Sequence, residues 1–455
     1  MKKTYFTILF LLCGTFLFSQ DENMVYKDTV YVDYIRSVQL SIPGFMTAQP
    51  IINLGGGQLQ LSFDDIDGDA REFIYAVEHC DADWTPSRLS EMEYLDGFND
   101  EEIETFDFSF NTLTEYTNYR VRIPNDNFKL TRSGNYLLKV YDNEDEKTLV
   151  FTRRFMIVDP RFLVNADVLL SRKVSTNKTH QEIDFSVTHK GIRVANPRKE
   201  VQVVVMQNGR WDNAIYNIKP QFIKGETLQY FLMNKIVFPA GKEFRYMDLR
   251  SLRFRSEKVK AIERIEDSYD VTLYTDKDRN FLAYSFIRDL NGGFVLGNID
   301  GNYNNSINFF DSDSDDVRRA KLDLLRRQMS ENERDNNLES EYANVLFSLH
   351  QNQELYDHDV YLFGALTDWQ IKEKFKMNYI DRAKAYVVDV HLKQGFYNYL
   401  YAAVPKKGPK VADLELLEGN WYETENQYTI LVYYKAFGER YDHLVAAYTF
   451  DSLRR

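Results

Sequence analysis

Two groups of acidic residues and histidines are spaced in a way that could bind a metal ion. Asp65, Asp67 and Asp69 lie in an acidic turn and offer the oxygen ligands that hard cations prefer. His350 and His358 flank Asp357, but no third ligand follows at a helical or hairpin spacing. Because Asp-Gly between alternating strands is first of all a turn signal, we expect a turn in the first place. Because a third ligand is missing, we expect surface groups in the second.

Carboxylates could also perform acid–base catalysis. Glycoside hydrolysis needs two of them across a cleft, and the candidates are Glu78, Asp81 and Asp83, or Glu423 and Glu425. With 69 acidic residues in the chain, however, such neighbours arise by chance. The G-x-S-x-G, G-x-x-x-x-G-K, C-x-x-C and H-E-x-x-H patterns are absent from the sequence. We therefore expect no catalytic residue, no metal, no cofactor and no small-molecule substrate.

The four tryptophans suggest binding rather than catalysis. Each lies in a short polar motif at the edge of a predicted strand, and Trp, Tyr and Arg contribute most of the binding energy at protein interfaces. The alternative is that they close the ends of β-sandwiches against the core, which we favour for Trp84 and Trp369. Both interpretations fit Trp211 and Trp421 equally well. The candidate partner-interface residues are Trp211, Asp212, Asn213, Trp421 and Tyr422.

The composition predicts the kind of fold that must position these side chains. The 455 residues exceed the size of a single hydrophobic core, and aromatic residues make up 15% of the chain, with 31 Tyr and 32 Phe. A net charge of -13 argues against general binding to nucleic acid or to anionic lipid. We expect an all-β protein of tandem immunoglobulin-like or early-set β-sandwich units.

Turn signals predict local pairings. Acidic turns join residues 59–63 to 73–80 and residues 136–141 to 148–158, so each pair is predicted to form a β-hairpin. Gly turns also precede tyrosines at three strand starts. This pattern resembles the tyrosine corner, in which the phenol hydroxyl binds nearby backbone, although Gly and Tyr are frequent at strand starts in any case. The tyrosines are Tyr136, Tyr246 and Tyr397.

The N-terminus predicts export. Two lysines followed by an apolar stretch too short to span a bilayer form a secretory signal peptide, with cleavage expected after Ser19. Cys80 is then the only thiol, and we predict that it is buried on a strand. The predicted regions are 1–19 signal peptide, 20–159 N-terminal β-sandwich, 160–280 second β-sandwich, and 281–455 C-terminal early-set-like β-sandwich with a helical or acidic insert at about 311–340.

Long motifs distributed along the chain carry a family resemblance. They include EHCDADW at 78–84, SGNYLLKVY at 133–141, QNGRWDN at 207–213, FGALTDW at 363–369 and WYETEN at 421–426. Together they resemble the plug protein of the type IX secretion system, and the resemblance covers nearly the whole chain after the signal peptide.

This resemblance implies a non-catalytic β protein in the periplasm of Bacteroidota-type bacteria. Its implied partner is the very large outer-membrane β-barrel translocon of that system, through which it would be associated with the outer membrane without spanning it. The implied role is to bind the periplasmic end of the barrel and to block the pore when no substrate is in transit.

A surface or periplasmic carbohydrate-binding β-sandwich is the alternative. A Trp-bearing turn at 366–369 and a Gly-Phe-Tyr strand start at 395–397 are similar to starch-binding modules, in which aromatic rings stack on sugars. This alternative predicts that Trp369 and Tyr397 are exposed and face the same side.

Overall fold

The chain folds almost entirely into β-strands. The computed structural model describes residues 24–144, 147–300 and 338–453. Within them each α-helix is only four residues long, and the all-β prediction is confirmed. The predicted signal peptide lies outside the described residues, as does the predicted insert up to residue 337. The helices are α1 (Glu91–Tyr94), α2 (Pro197–Glu200) and α3 (Glu415–Glu418), with 3₁₀ turns at Ala365–Thr367 and Glu373–Phe375.

The N-terminal unit is a sandwich of two main sheets. Its strands are β1 (Thr29–Val30), β2 (Ile35–Ser41), β3 (Ile51–Asn53), β4 (Leu59–Asp65), β5 (Phe73–Cys80), β6 (Leu95–Gly97), β7 (Glu101–Glu102), β8 (Phe106–Phe108), β9 (Thr117–Ile123), β10 (Phe128–Leu130), β11 (Gly134–Asp142) and β12 (Thr148–Val158). One sheet has the order β1-β12-β11-β5-β7, with β3 beside β12, and the other has the order β2-β4-β9-β8. Strands β6 and β10 form a separate ladder.

Aromatic rings fill the space between these two sheets. Phe63 on β4 packs edge-to-face on Phe73 of β5 with ring centroids 5.2 Å apart, and it stacks on Tyr119 at 5.2 Å. All three rings are fully buried. Such pairs add to the free energy of burying the rings themselves, which explains why alternating aromatic residues mark these strands.

One of the two predicted hairpins forms and the other does not. Strands β11 and β12 pair antiparallel as predicted. The hairpin predicted for 59–63 with 73–80 is wrong, because β4 and β5 lie in opposite sheets. Arg71 explains the difference: its guanidinium pairs with Asp65 at 2.9 Å, Asp67 at 2.5 Å and Asp142 at 3.2 Å. These ion pairs fix a connection that crosses the sandwich instead of a tight turn.

The middle of the chain contributes one sheet of a second sandwich. Its strands are β13 (Leu163–Leu170), β14 (His180–Thr188), β15 (Val201–Gln207), β16 (Phe222–Lys224), β17 (Thr227–Tyr230) and β18 (Val237–Pro239). The order β13-β14-β17-β16, with β18 beside β14, makes this sheet. Strand β15 belongs to another sheet, which the end of the chain completes.

The C-terminal unit is a long sheet that surrounds one core. Its strands are β19 (Arg245–Asp248), β20 (Val259–Ile265), β21 (Ser268–Leu273), β22 (Asp276–Lys277), β23 (Phe294–Leu296), β24 (Tyr342–His350), β25 (His358–Phe363), β26 (Lys376–Ile380), β27 (Ala385–Lys393) and β28 (Gly395–Pro405). Their main order is β19-β28-β25-β26-β27-β24-β21-β20. Side chains from both ends and the centre of this order share a single hydrophobic cluster.

The last two strands return to the middle of the chain. Strands β29 (Gln427–Tyr434) and β30 (His443–Asp451) form a sheet with β15, in the order β15-β29-β30. This sheet packs on the β13-β14-β17-β16 sheet around a common core. The ranges 160–280 and 281–455 therefore share a sheet, and the boundaries that we drew from the sequence stay predictions.

Two of the three predicted tyrosine corners are present. The hydroxyl of Tyr136 donates to the carbonyl oxygen of Arg132 at 2.8 Å, and that of Tyr397 donates to the carbonyl oxygen of Lys393 at 2.6 Å. Tyr246 departs from the pattern, because its hydroxyl donates to the carboxylate of Glu257 at 2.7 Å. The confirmed pair places equivalent corners in the N-terminal and C-terminal units.

A buried ion pair joins these two units. The ammonium of Lys393 at the end of β27 lies 2.7 Å from the Asp64 carboxylate on β4, and both side chains are almost inaccessible to solvent. Tyr342 and Asn118 also donate to this carboxylate, each at 2.7 Å. Burial lowers the pKa of Lys393, and the charge of Asp64 opposes that effect. Each charge is thus compensated by the other unit.

Removing the ammonium should destabilise the fold strongly. We expect Lys393→Met to lower the free energy of unfolding by about 3–5 kcal/mol, because Asp64 would remain buried without its cation. Lys384→Met is the matched control, since Lys384 pairs with Asp381 at the surface and should change stability little. Urea unfolding followed by tryptophan fluorescence measures both. Equal midpoints for the two variants would contradict the assignment.

Candidate functional site

A cleft of about 530 Å³ opens where the three units meet. Strands β2 and β12 form one wall, the turn after β15 forms another, and the 3₁₀ turn after β25 closes the third side. Two of the five predicted interface residues lie here. Residues that line it include Gln49, Arg154, Trp211, Asp212, Asn291 and Trp369.

Trp211 joins the middle unit to the N-terminal unit. Its half-buried ring packs edge-to-face on Trp84 with ring centroids 5.0 Å apart. The Arg154 guanidinium lies 4.6 Å from the Trp84 ring centre and 5.4 Å from that of Trp211, which is a cation–π arrangement. Trp84 is only 3% exposed, so its predicted place in the core is confirmed.

Asp212 and Asn213 act through their neighbours. Asp212 accepts two hydrogen bonds from Arg210, at 3.0 and 2.6 Å, which orients the guanidinium. Arg210 then lies 4.7 Å from the ring centre of Trp369 in the C-terminal unit. The Asn213 amide donates to the Gln207 side-chain oxygen at 3.1 Å, which fixes the turn after β15. The predicted motif therefore connects all three units.

Trp421 and Tyr422 form a separate surface outside the cleft lining. The Trp421 indole stacks on Tyr284 with ring centroids 5.9 Å apart and planes at 17°. Its Nε1 donates to Glu423 at 3.1 Å, and the Tyr422 hydroxyl donates to the same carboxylate at 3.0 Å. Both rings are half-buried. The structure thus divides the five predicted residues between two places.

A buried carboxylate lies behind this second surface. Glu243 is 2% exposed and accepts hydrogen bonds from the Tyr284 hydroxyl and, at 3.3 Å, from the backbone N–H of Glu425. Burial raises the pKa of Glu243 to about 7, with Asp289 adding to the rise and the Tyr284 hydrogen bond opposing it. Burial also raises the pKa of Asp289 to about 6. Neither carboxylate was predicted from the sequence, because no local pattern marks them.

The other candidate chemistry stays at the surface or in the core. Cys80 is fully buried, as predicted, and burial raises the pKa of its thiol. His358 contacts Asp357 at 2.7 Å at the surface, while His350 projects from β24 into solvent. In the part of the chain that the structure describes, no three His, Cys, Asp or Glu side chains converge as metal ligands.

The pair of exposed aromatic rings that a carbohydrate-binding module would need does not form. Tyr397 is 3% exposed and is held by its corner hydrogen bond. Trp369 packs edge-to-face between Phe244 at 5.9 Å and Phe363 at 5.5 Å. The prediction of two exposed rings facing the same side is therefore wrong.

The shifted pKa of Glu243 makes stability depend on pH. Because the pKa of about 7 in the folded protein exceeds the ordinary value of 4.5, the folded state binds the Glu243 proton more tightly than the unfolded chain does. The contribution is fully present below about pH 4.5 and is lost progressively as the pH rises from there through about 7. We expect Glu243→Gln to raise the melting temperature at pH 8 and to narrow the difference between pH 8 and pH 5.5. Exposed Glu263→Gln is the control, and identical pH profiles for the two variants would contradict the assignment.

Comparisons with known proteins identify the family. The profile described as "Type 9 secretion system plug protein 1st domain" matches residues 35–159. The crystal structure of a hypothetical protein from Parabacteroides merdae ATCC 43184 is 32% identical in sequence, with a TM-score of 0.82, and the match covers 94% of this chain and 100% of that one. No curated protein matches the chain. On these matches, the chain belongs to the type IX secretion system plug protein family.

Proposed function

We propose that this protein is a non-catalytic component of the type IX secretion system that binds the periplasmic end of the outer-membrane translocon. In this role it blocks the pore of the β-barrel when no substrate is in transit. Family membership supports a part in type IX secretion, and the match to a plug-protein domain supports the more specific role.

The buried polar contacts at the joints between units are the structural observation that favours a plug. A cover over a wide channel must keep its shape, so its units must not swing apart. Besides the Asp64–Lys393 pair, the buried Tyr433 hydroxyl donates to Asn135 at 2.7 Å, and the backbone N–H of Ala82 donates to Asp442 at 3.0 Å. Opening either joint would leave buried polar groups unpaired, which is unfavourable.

The proposed location is the periplasm, in association with the outer membrane through the translocon. The family and the predicted signal peptide at 1–19 support it. In the described part of the chain, no helix is long and apolar enough to cross a membrane.

We also propose that the predicted interface residues contribute to this binding in two ways. Trp421 and Tyr422 are half-buried at a surface and can contact a partner directly. Trp211 supports the shape of the plug through its contact with Trp84. Asp212 and Asn213 support it by orienting Arg210 towards Trp369 and by fixing the turn after β15.

Loss of the protein should make the outer membrane leak. In a deletion strain of the native host, we expect entry of a large fluorescent dye to rise, because the idle translocon would stay open on its periplasmic side. Affinity purification of the tagged protein from gently solubilised outer membranes should recover a very large β-barrel in stoichiometric amount. A deletion strain as tight as wild type, with no barrel recovered, would contradict the proposal.

Truncating the half-buried rings of Trp421 and Tyr422 should weaken this association. We expect the combined Trp421→Ala and Tyr422→Ala substitutions to lower the affinity for the purified translocon roughly tenfold or more, as is usual for aromatic anchors at interfaces. Phe437→Ala is the control, since Phe437 is fully exposed elsewhere on the surface. Surface plasmon resonance measures all three proteins, and circular dichroism verifies their folding. An unchanged affinity would exclude this surface from the interface.

A further inference from the structure

An aromatic edge strand lies at one side of the N-terminal unit. Phe106 and Phe108 on β8 and Phe110 just beyond it are 39%, 57% and 60% exposed. Alternate residues of a strand project to the same face, so the first two rings lie side by side, with centroids 6.0 Å apart. The inner one, Phe106, also contacts Tyr119 of the core at 5.5 Å. The hydrophobic core therefore continues to the surface at this edge.

Strand β8 has free backbone directions on the side away from β9, because only alternate residues direct their N–H and C=O groups towards β9. The carbonyl of Thr105 accepts from the N–H of Arg120, and the N–H of Ser109 donates to the carbonyl of Tyr116, so these residues face inward. The alternate residues Phe106 and Phe108 consequently direct their N–H and C=O groups away from the sheet. Within residues 24–144, 147–300 and 338–453, β8 pairs with no strand other than β9.

The stretch of chain that contains this edge strand is strongly acidic. Residues 89–119 contain nine Asp and Glu and no Lys, Arg or His. Basic side chains from other elements pair with Asp107, Asp100 and Glu93. In the described part of the chain, no ion pair involves Glu101, Glu102 or Glu104, which directly precede the strand. Among the residues that the structure describes, these three carboxylates therefore have no ion-pair partner.

We propose that this edge binds an extended basic segment of another protein, which adds to the four-stranded sheet beside β8. Outward backbone groups would bond to the incoming strand, and its apolar side chains would cover the phenylalanines. Its Lys and Arg side chains would pair with the neighbouring acids. A second copy of this edge fits poorly, because it would bring two acidic surfaces together. The proposal does not depend on pore closure.

Photocrosslinking in living cells of the native host tests this binding. Phe110 is replaced by p-benzoylphenylalanine, and the crosslinked peptide is mapped by mass spectrometry. The expected product is a segment of another protein with net positive charge and alternating apolar residues. The same photoreactive residue at Phe437 is the control and should not capture that segment. Crosslinks to residues 301–337 of this chain, to a second copy of it, or to an acidic segment would overturn the proposal.

Two substitutions of Phe108 separate backbone pairing from side-chain contact. With the photoreactive residue kept at 110, Phe108→Ala removes one ring but keeps the outward N–H. Phe108→Pro removes the N–H as well, and it leaves the bonds to β9 intact because that N–H faces away from them. We expect crosslinking to fall several-fold for Ala and at least tenfold for Pro. Circular dichroism verifies folding, and equal yields for the two variants would contradict strand addition.

Charge reversal tests the choice of a basic partner. Glu102→Lys with Glu104→Lys should lower the crosslink yield several-fold, whereas Glu263→Lys on the distant strand β20 should leave it unchanged. An unaffected yield would contradict the charge argument. These results are independent of the pore-blocking role. Recovery of the translocon without a basic crosslink would refute only this inference. A basic crosslink, together with a deletion strain that does not leak, would refute only the plug function.

Discussion

The ion pair between Asp64 and Lys393 is the interaction on which the arrangement of units depends. Asp64 lies in the N-terminal unit and Lys393 in the C-terminal unit, and both side chains are almost inaccessible to solvent. The ammonium also lies 4.1 Å from the ring centre of Tyr116, whose hydroxyl donates to the carbonyl of Ser340. A desolvated charge is tolerated only while its partner stays in place, so separation of the two units would be strongly unfavourable. The pair therefore holds the N-terminal and C-terminal units together.

The high tyrosine content has a physical explanation in these joints. A tyrosine buries a large ring and still offers a hydroxyl at its tip, so it can complete a core and bridge to a neighbouring unit at once. Tyr342 does this towards Asp64, and Tyr433 does it towards Asn135. A plug assembled from several sandwiches needs such bridges, since apolar contact alone lets surfaces slide.

Local features were predictable from the sequence, whereas long-range ones were not. The corners at Tyr136 and Tyr397 follow from a Gly turn and a strand start, and the hairpin of β11 and β12 follows from its acidic turn. The pairing of β15 with β29 joins residues far apart in the chain, and no local pattern encodes such a contact. The candidate site behaves similarly. The Trp211 motif indicated an important position, but its neighbours Trp84, Arg154 and Trp369 come from other units.

The most direct test of the central claim is the conductance of the purified translocon in a planar lipid bilayer. We expect that adding this protein to the periplasmic side of an idle channel lowers the conductance to that of the bare membrane. Adding it to the opposite side should have no effect. A conductance that stays high after addition to the periplasmic side, at protein concentrations that saturate binding, would contradict the claim that this rigid body closes the pore.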